Sequence, residues 1–199
     1  MYISLRYKIM SKNHYLHDNY DVNLIIKGFT SVLVGFYIIG GAYLIKSILN
    51  GFLIDDNPLG MLSAEIIEIL FLAILFLVFI FSSMAVILKG RRAAKKYQFK
   101  LWNSKTKKVA FKYLLLITLL FTSLILLMNA GFINYITPSF LLLYGVMLYI
   151  LKSKYRKQLL ILSGLAFGLA LLCFLIPNYW YSALSILGIA HVTYGILVK

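Results

Sequence analysis

The chain has 199 residues, of which 62% are apolar and only 13% are charged, and its mean hydropathy is +0.89. Soluble domains are nearer half apolar and a quarter charged, so this composition excludes an ordinary soluble domain and favours a protein of the lipid bilayer. The net charge is +14, from 20 Lys and Arg against 6 Asp and Glu. A single cysteine, Cys173, excludes an intrachain disulfide and a zinc site built from several cysteines.

The N-terminal segment, residues 1–27, is polar and basic and contains no long apolar stretch. We predict that this segment is cytoplasmic and that residues 28–199 form a single transmembrane domain. The sequence leaves open whether Met1 or Met10 is the true start.

Six apolar stretches are long enough to cross a bilayer, since a helix rising 1.5 Å per residue needs about 20 residues to span about 30 Å of hydrocarbon. They cover residues 29–49, 66–88, 111–129, 135–151, 159–176 and 181–198. Their continuous apolar character favours helices over barrel strands, which alternate apolar and polar residues. The predicted fold is therefore an all-α polytopic transmembrane bundle of about six helices. The fourth stretch is the shortest and gives the weakest signal.

The basic residues are distributed unevenly when the connections between spans are assigned alternately to two sides. One side receives 19 basic and 2 acidic residues, a net charge of +17, and the other receives Lys46 with four acidic residues, a net charge of −3. Those four acidic residues are Asp55, Asp56, Glu65 and Glu68. Because positively charged loops stay in the cytoplasm, we predict that both termini are cytoplasmic. In a bacterial source the membrane would be the cytoplasmic membrane.

The connection between spans two and three, residues 89–102, is the most basic part of the chain. A short helix parallel to the membrane is predicted here, because helical spacing places Ala93, Ala94 and Leu101 on one side. The polar side and the adjoining aromatic residue would meet anionic lipids or a partner through Arg91, Arg92, Lys95, Lys96, Lys100 and Trp102. Alternatively, the charge only sets the topology. Nucleic acid is a weaker interpretation, because a membrane already explains basic residues mixed with aromatic ones.

His191 is the only histidine within a predicted span, and polar groups inside a membrane are candidate functional residues. Thr118 lies at a similar depth on span three, where its hydroxyl could bond to the imidazole. Gly188 and Gly195 share a helix face with His191, so this face is expected to pack against another helix. Three interpretations stay open: a neutral structural histidine, a group that handles protons or substrate, and a metal or haem ligand.

An acidic pair, Glu65 and Glu68, begins span two at i and i+3 and so lies on one helix face. Such a pair could attract a cation at the external interface. A helix N-terminus also favours negative charge, which is the alternative explanation. We predict no metal or cofactor site and no catalytic residue.

Small residues spaced four apart occur in two spans, at Ser31 with Gly35 and at Gly164 with Gly168. Such pairs let helix backbones approach closely in membranes. Both are expected to pack inside the bundle.

The pair Ser163-Gly164 and the pair Ala190-His191 resemble the Ser-Gly and Ala-His signatures of rhomboid intramembrane proteases. That resemblance would imply a serine nucleophile and a histidine base. The sequence departs from it, because Ile161 stands where rhomboids have a glycine and the serine lies on the fifth span instead of the fourth. The loop over residues 55–62 also supplies no His and Asn for an oxyanion. An intramembrane hydrolase is a remote alternative.

The segment Lys100–Ser104, with sequence Lys-Leu-Trp-Asn-Ser, and the ending around His191 resemble uncharacterised small six-span membrane proteins of bacteria. This resemblance implies a fold class and no activity. The predicted function is a noncatalytic regulatory, assembly or membrane-sensing component, with anionic lipids, a protein partner or a second copy of the chain as partners. A small-molecule or ion transporter or channel subunit is the alternative, because six spans could form two inverted halves.

Overall fold

A computed structural model of the chain describes residue 26 and residues 28–53, 62–97, 101–151 and 159–198. These residues form six α-helices, which are α1 (Phe29–Phe52), α2 (Ala64–Tyr97), α3 (Ser104–Asn129), α4 (Ile136–Ile150), α5 (Leu159–Leu175) and α6 (Trp180–Leu197). Short 3-10 turns precede the fourth and sixth helices, at Ile133–Tyr135 and Pro177–Tyr179. The described residues contain no strand, so the prediction of an all-helical fold is confirmed. The predicted cytoplasmic segment lies outside the described residues except for Ile26.

Five helical segments of the described chain are long and apolar enough to cross a membrane, namely Phe29–Phe52, Ala64–Lys96, Thr106–Asn129, Ile133–Ile150 and Pro177–Leu197. The fourth predicted span, which is the shortest, is among these five because the 3-10 turn before α4 extends the helix. In contrast, α5 has 17 residues and is shorter than these five. The five helices indicate an integral membrane protein.

Helix α2 corrects the prediction of a separate interfacial helix. It has 34 residues and a length of about 51 Å, and it continues through the basic segment to Tyr97. The segment consists mainly of Ala, Lys and Arg, which are good helix formers, and Gly90 is its only helix-weakening residue. Lys95 and Lys96 lie in the last turn, where cations are favourable. On the apolar side of the segment, Ala94 is buried together with Leu101.

Helices α2 and α3 form an antiparallel hairpin. Asn103 caps the start of α3, where its side chain accepts a hydrogen bond of 2.7 Å from the backbone N–H of Thr106. Farther along, the hydroxyls of Ser83 and Tyr113 are 2.7 Å apart. The Ser83 hydroxyl donates to the backbone carbonyl of Phe79, so the Tyr113 hydroxyl is the donor between the two helices. We call the end of the bundle where α2 ends and α3 begins the basic end.

The core lies between α1, α4, α5 and α6, whose contacting faces are built from small residues. Antiparallel helices α1 and α6 approach so closely that a Cβ added to Gly35 would lie 2.5 Å from the carbonyl oxygen of Gly188. Helices α4 and α5 meet where the Ser163 hydroxyl donates to the carbonyl of Gly145 over 2.8 Å. Leu141 is fully buried among these helices, whereas few residues of α2 and α3 are buried.

The two pairs of small residues predicted to pack inside the bundle differ in the structure. Ser31 and Gly35 are buried against α6, as predicted. Gly164 and Gly168 are exposed, and a Cβ added to either would have no atom within 4 Å. The prediction for α5 was therefore wrong. The opposite face of that helix, which carries Ser163, makes the contact instead.

Candidate functional site

A cluster of three buried polar side chains joins three helices in the half of the bundle nearer the basic end. His191 of α6 is fully buried, as is Ser31 of α1, and Tyr144 of α4 is 5% exposed. The imidazole Nδ1 lies 3.3 Å from the Ser31 Oγ, and its Nε2 lies 2.8 Å from the Tyr144 hydroxyl. The rings of Tyr144 and His191 meet edge to face, with centroids 5.8 Å apart.

The hydrogen bonds of this cluster assign its protons. The Ser31 hydroxyl donates to the backbone carbonyl of His191 over 2.8 Å, so its oxygen is free to accept the proton on Nδ1. The unprotonated Nε2 then accepts from the Tyr144 hydroxyl. In this arrangement the imidazole is neutral and both of its nitrogens have partners. Burial of the histidine is tolerated because no polar atom of the ring is left without a hydrogen bond.

Glycines position the cluster by bringing α1 and α6 into backbone contact. A Cβ on Gly188 would lie 2.9 Å from the carbonyl oxygen of Gly35, and one on Gly195 would lie 2.7 Å from that of Gly28. The backbone N–H of Gly28 also donates to the carbonyl of Val198 over 2.9 Å. This separation lets the short side chain of a serine reach a histidine on the next helix.

Thr118, the partner predicted for His191, does not join the cluster. Its side chain is exposed and its hydroxyl donates to the carbonyl of Leu114 in the same helix over 3.0 Å. Depth in the membrane follows from sequence position, but the direction of a side chain around its helix does not. The sequence reasoning missed Ser31 and Tyr144 as partners. The small-residue pattern on α1 was a usable signal for Ser31, whereas Tyr144 had none.

The serine and histidine of the rhomboid-like pattern are not hydrogen-bonded to each other. Ser163 donates to the carbonyl of Gly145, and both nitrogens of His191 contact other side chains. A nucleophilic serine needs a base within hydrogen-bond reach. The geometry of these two side chains is therefore unlike that of a catalytic pair.

A narrow cavity of about 120 Å³ lies beside the polar cluster, between α1, α2, α3 and α4. Its lining residues are mainly apolar and include Phe79, Phe140 and Met147. Tyr144, whose hydroxyl bonds to His191, also lines the cavity. The cavity extends along α4 from Phe140 to Leu151, a distance of about 16 Å. Its far end reaches Trp102 at the basic end of the bundle.

The predicted acidic pair begins α2, at the opposite end of that helix from the basic end. Glu65 is exposed in the first turn, and Glu68 is half-buried one turn later. The backbone N–H of Ile66 bonds to the carbonyl of Ser63 over 3.1 Å, which makes this a helix start where negative charge is favourable. Among the described residues no group of three His, Cys, Asp or Glu side chains is placed to hold a metal ion.

The predicted cationic contacts lie at the basic end, on the adjoining termini of two helices. Arg91, Arg92, Lys95 and Lys96 are exposed at the end of α2. Trp102 is 47% exposed in the turn that follows, and Lys100 lies outside the described residues. At the start of α3 three further lysines are exposed, which are Lys107, Lys108 and Lys112. In contrast, Lys46 lies at the other end of the bundle, with its Nζ 4.1 Å from the centroid of the Tyr181 ring.

Comparisons with protein-family models, with curated proteins and with solved structures found no match to this chain. The resemblance to small six-span membrane proteins of bacteria stays a prediction. Function is therefore inferred from the side chains and their geometry.

Proposed function

We propose that the protein is a noncatalytic integral membrane protein that binds anionic lipid headgroups through its basic end, as a regulatory, assembly or membrane-sensing component. In this proposal the chain crosses the membrane six times and both termini are cytoplasmic. Helix α5, with 17 residues, is at the lower limit for a span, and local thinning of the bilayer would accommodate it. The basic end then faces the cytoplasmic leaflet, which carries the anionic lipids.

The observation that carries the proposal is the exposed positive charge on two adjoining helix ends. Seven exposed cations contribute, which are Arg91, Arg92, Lys95 and Lys96 on α2 and Lys107, Lys108 and Lys112 on α3. The two acidic residues of the described chain, Glu65 and Glu68, are at the start of α2, about 40 Å away along that helix. Each cation near an anionic surface contributes about 1 kcal/mol of attraction, which decreases as salt is added.

The length of α2 supports placing this charge at the headgroups. At about 51 Å the helix is about 20 Å longer than the hydrocarbon core of a bilayer. Its last turns therefore lie in the headgroup region or beyond, where arginine and lysine are stable. Trp102 follows in the turn, and tryptophan is enriched at membrane interfaces.

The buried polar cluster supports a noncatalytic role. Both nitrogens of His191 are hydrogen-bonded within the protein, and the neighbouring cavity is mainly apolar. A transporter or hydrolase needs polar groups that are open to substrate or water. The described cluster uses its polar groups to hold three helices together.

The proposal is tested by measuring which lipids remain with the protein after it is extracted from mixed vesicles of phosphatidylglycerol and phosphatidylcholine. We expect phosphatidylglycerol to be enriched over its share of the vesicle, and the enrichment to decrease in the triple variant Lys107→Gln, Lys108→Gln, Lys112→Gln. Lys46→Gln is the matched control, because it removes a cation from the other end and should leave the enrichment unchanged. A wild-type lipid ratio equal to that of the vesicle would contradict headgroup binding. Saturable solute flux lost in His191→Ala would contradict the noncatalytic role.

A further inference from the structure

We infer that the cavity between α1, α2, α3 and α4 holds a segment of one acyl chain of an anionic phospholipid whose headgroup lies among the lysines of the basic end. This inference rests on the proposed function for the headgroup and adds a specific site for the chain. The observations that carry it are the shape of the cavity, its apolar lining and its extension to the basic end.

The shape of the cavity fits a chain better than a compact solute. It follows α4 for about 16 Å, from Phe140 in the middle of the bundle to Leu151 at the basic end. Its volume of about 120 Å³ is spread over that length. Cavities on the order of 150 Å³ with apolar walls stay dry and accept apolar molecules the size of benzene. A short segment of hydrocarbon chain fits this volume and this elongated shape.

The lining of the cavity favours hydrocarbon over water. A buried water needs two to four polar partners, as a rule. Four hydroxyls belong to lining residues, and those of Tyr144, Tyr113 and Ser83 are already hydrogen-bonded within the protein. The remaining one, on Ser82, is fewer than the two partners that a buried water needs. Aromatic rings form the deep end, where Phe79 and Phe140 pack edge to face with centroids 6.1 Å apart. Filling this space with methylene groups restores dispersion contacts that an empty cavity lacks.

The end of the cavity that reaches the basic end lies beside cations. On α3 the lining residues are Val109, Ala110 and Tyr113, and the exposed lysines Lys108 and Lys112 each directly precede one of them in sequence. A lipid chain entering here therefore leaves its phosphate beside ammonium groups. This charge complementarity selects an anionic phospholipid over a neutral lipid or a hydrocarbon segment of another protein.

A native reporter allows the occupant to be tested, because Trp102 lines the cavity. The full chain carrying Trp180→Phe, so that Trp102 is the only tryptophan, is reconstituted in phosphatidylcholine brominated near the headgroup end of its chains, which quenches tryptophan fluorescence. Unbrominated phosphatidylglycerol is then added in steps. We expect the recovered fraction of Trp102 fluorescence to exceed the mole fraction of phosphatidylglycerol added. The preference for phosphatidylglycerol over phosphatidylcholine should be at least about fivefold, which corresponds to the free energy contributed by about one cation.

Variants that fill the cavity test the acyl-chain site itself. Ala110→Phe places a ring in the cavity and should abolish the preference, whereas the matched variant Ala73→Phe, on the exposed face of α2, should retain it. Ser82→Leu fills part of the cavity with a smaller change in side-chain volume, and it replaces Ala110→Phe in the titration if that variant does not fold. Each variant is compared with wild type by gel filtration and thermal unfolding before the titration.

The outcomes separate this inference from the proposed function. Recovery that follows the mole fraction in the wild-type chain would overturn the inference. A preference that survives both cavity-filling variants but disappears in the triple lysine variant would also overturn it, while leaving headgroup binding intact. If neither kind of variant alters the preference, both proposals fail.

Discussion

Replacing Tyr144 with phenylalanine removes one hydroxyl from the buried cluster and keeps the aromatic ring. That ring stacks on Phe140 with centroids 5.9 Å apart, so the packing of the variant should be nearly unchanged. The substitution leaves Nε2 of His191 without its hydrogen bond of 2.8 Å. Leaving a buried acceptor unsatisfied costs about 1 to 3 kcal/mol in soluble proteins. Interhelical hydrogen bonds in membranes average about 0.6 kcal/mol and reach about 1.7 kcal/mol, because the unfolded chain finds other partners.

We expect Tyr144→Phe to lower the free energy of unfolding by about 1 to 2 kcal/mol, near the upper part of the membrane range. Two features favour this value: His191 is fully buried, and the adjoining cavity offers mainly apolar walls in place of the lost donor. The measurement is reversible unfolding by a denaturing detergent in mixed micelles. Tyr37→Phe is the matched control, because Tyr37 is half-buried and contacts Phe81 through its ring.

A thermodynamic cycle isolates the hydrogen bond. In the background of His191→Leu the acceptor is absent, so Tyr144→Phe should then have almost no cost or should stabilise the protein. An equal cost in both backgrounds would refute the assignment, because the loss would then come from something other than the bond to the histidine.

Two further predictions concern helix packing and helix initiation. Gly35→Ala should destabilise the protein by about 1 to 3 kcal/mol, because the added Cβ meets the backbone of α6. Gly164→Ala, in open space on α5, should be neutral or stabilising by up to about 1 kcal/mol. Thermal unfolding in detergent compares the two variants, and equal effects would contradict the packing described. Asn103→Ala should lower the free energy of unfolding by about 1 kcal/mol, because it removes the cap on α3. Unfolding in a denaturing detergent measures this loss, and Asn103→Asp should recover most of it. An unchanged free energy of unfolding in Asn103→Ala would contradict a stabilising cap.

The sequence predicted the helices well because hydropathy is a local property. Each apolar stretch of about 20 residues must satisfy its backbone hydrogen bonds internally, and this fixes a helix whatever surrounds it. Boundaries were less accurate where local signals conflicted. The basic segment after residue 88 was predicted to form its own helix, yet nothing in it interrupts α2, which continues to Tyr97. Hydropathy identifies where hydrocarbon ends, whereas the helix ends where its backbone hydrogen bonds end.

The sequence was a poor guide to which helix faces meet. Lipid tails are as apolar as leucine, so no hydrophobic pattern separates a face that contacts lipid from one that contacts another helix. For this reason the small residues on α1 and on α5 gave the same prediction of packing inside the bundle. Ser31 and Gly35 do pack against α6, whereas Gly164 and Gly168 are exposed. The same limit explains the choice of Thr118 as the partner of His191.

By itself, the sequence determined an all-helical membrane protein with one strongly basic connection and one histidine inside an apolar span, because composition and charge act residue by residue. The tertiary structure alone decided how these features combine. It joined His191 to a serine 160 residues away and to a tyrosine 47 residues away, and it left an apolar cavity that leads from this cluster to the basic end. Such contacts depend on how glycines let distant helices approach, which local sequence does not encode.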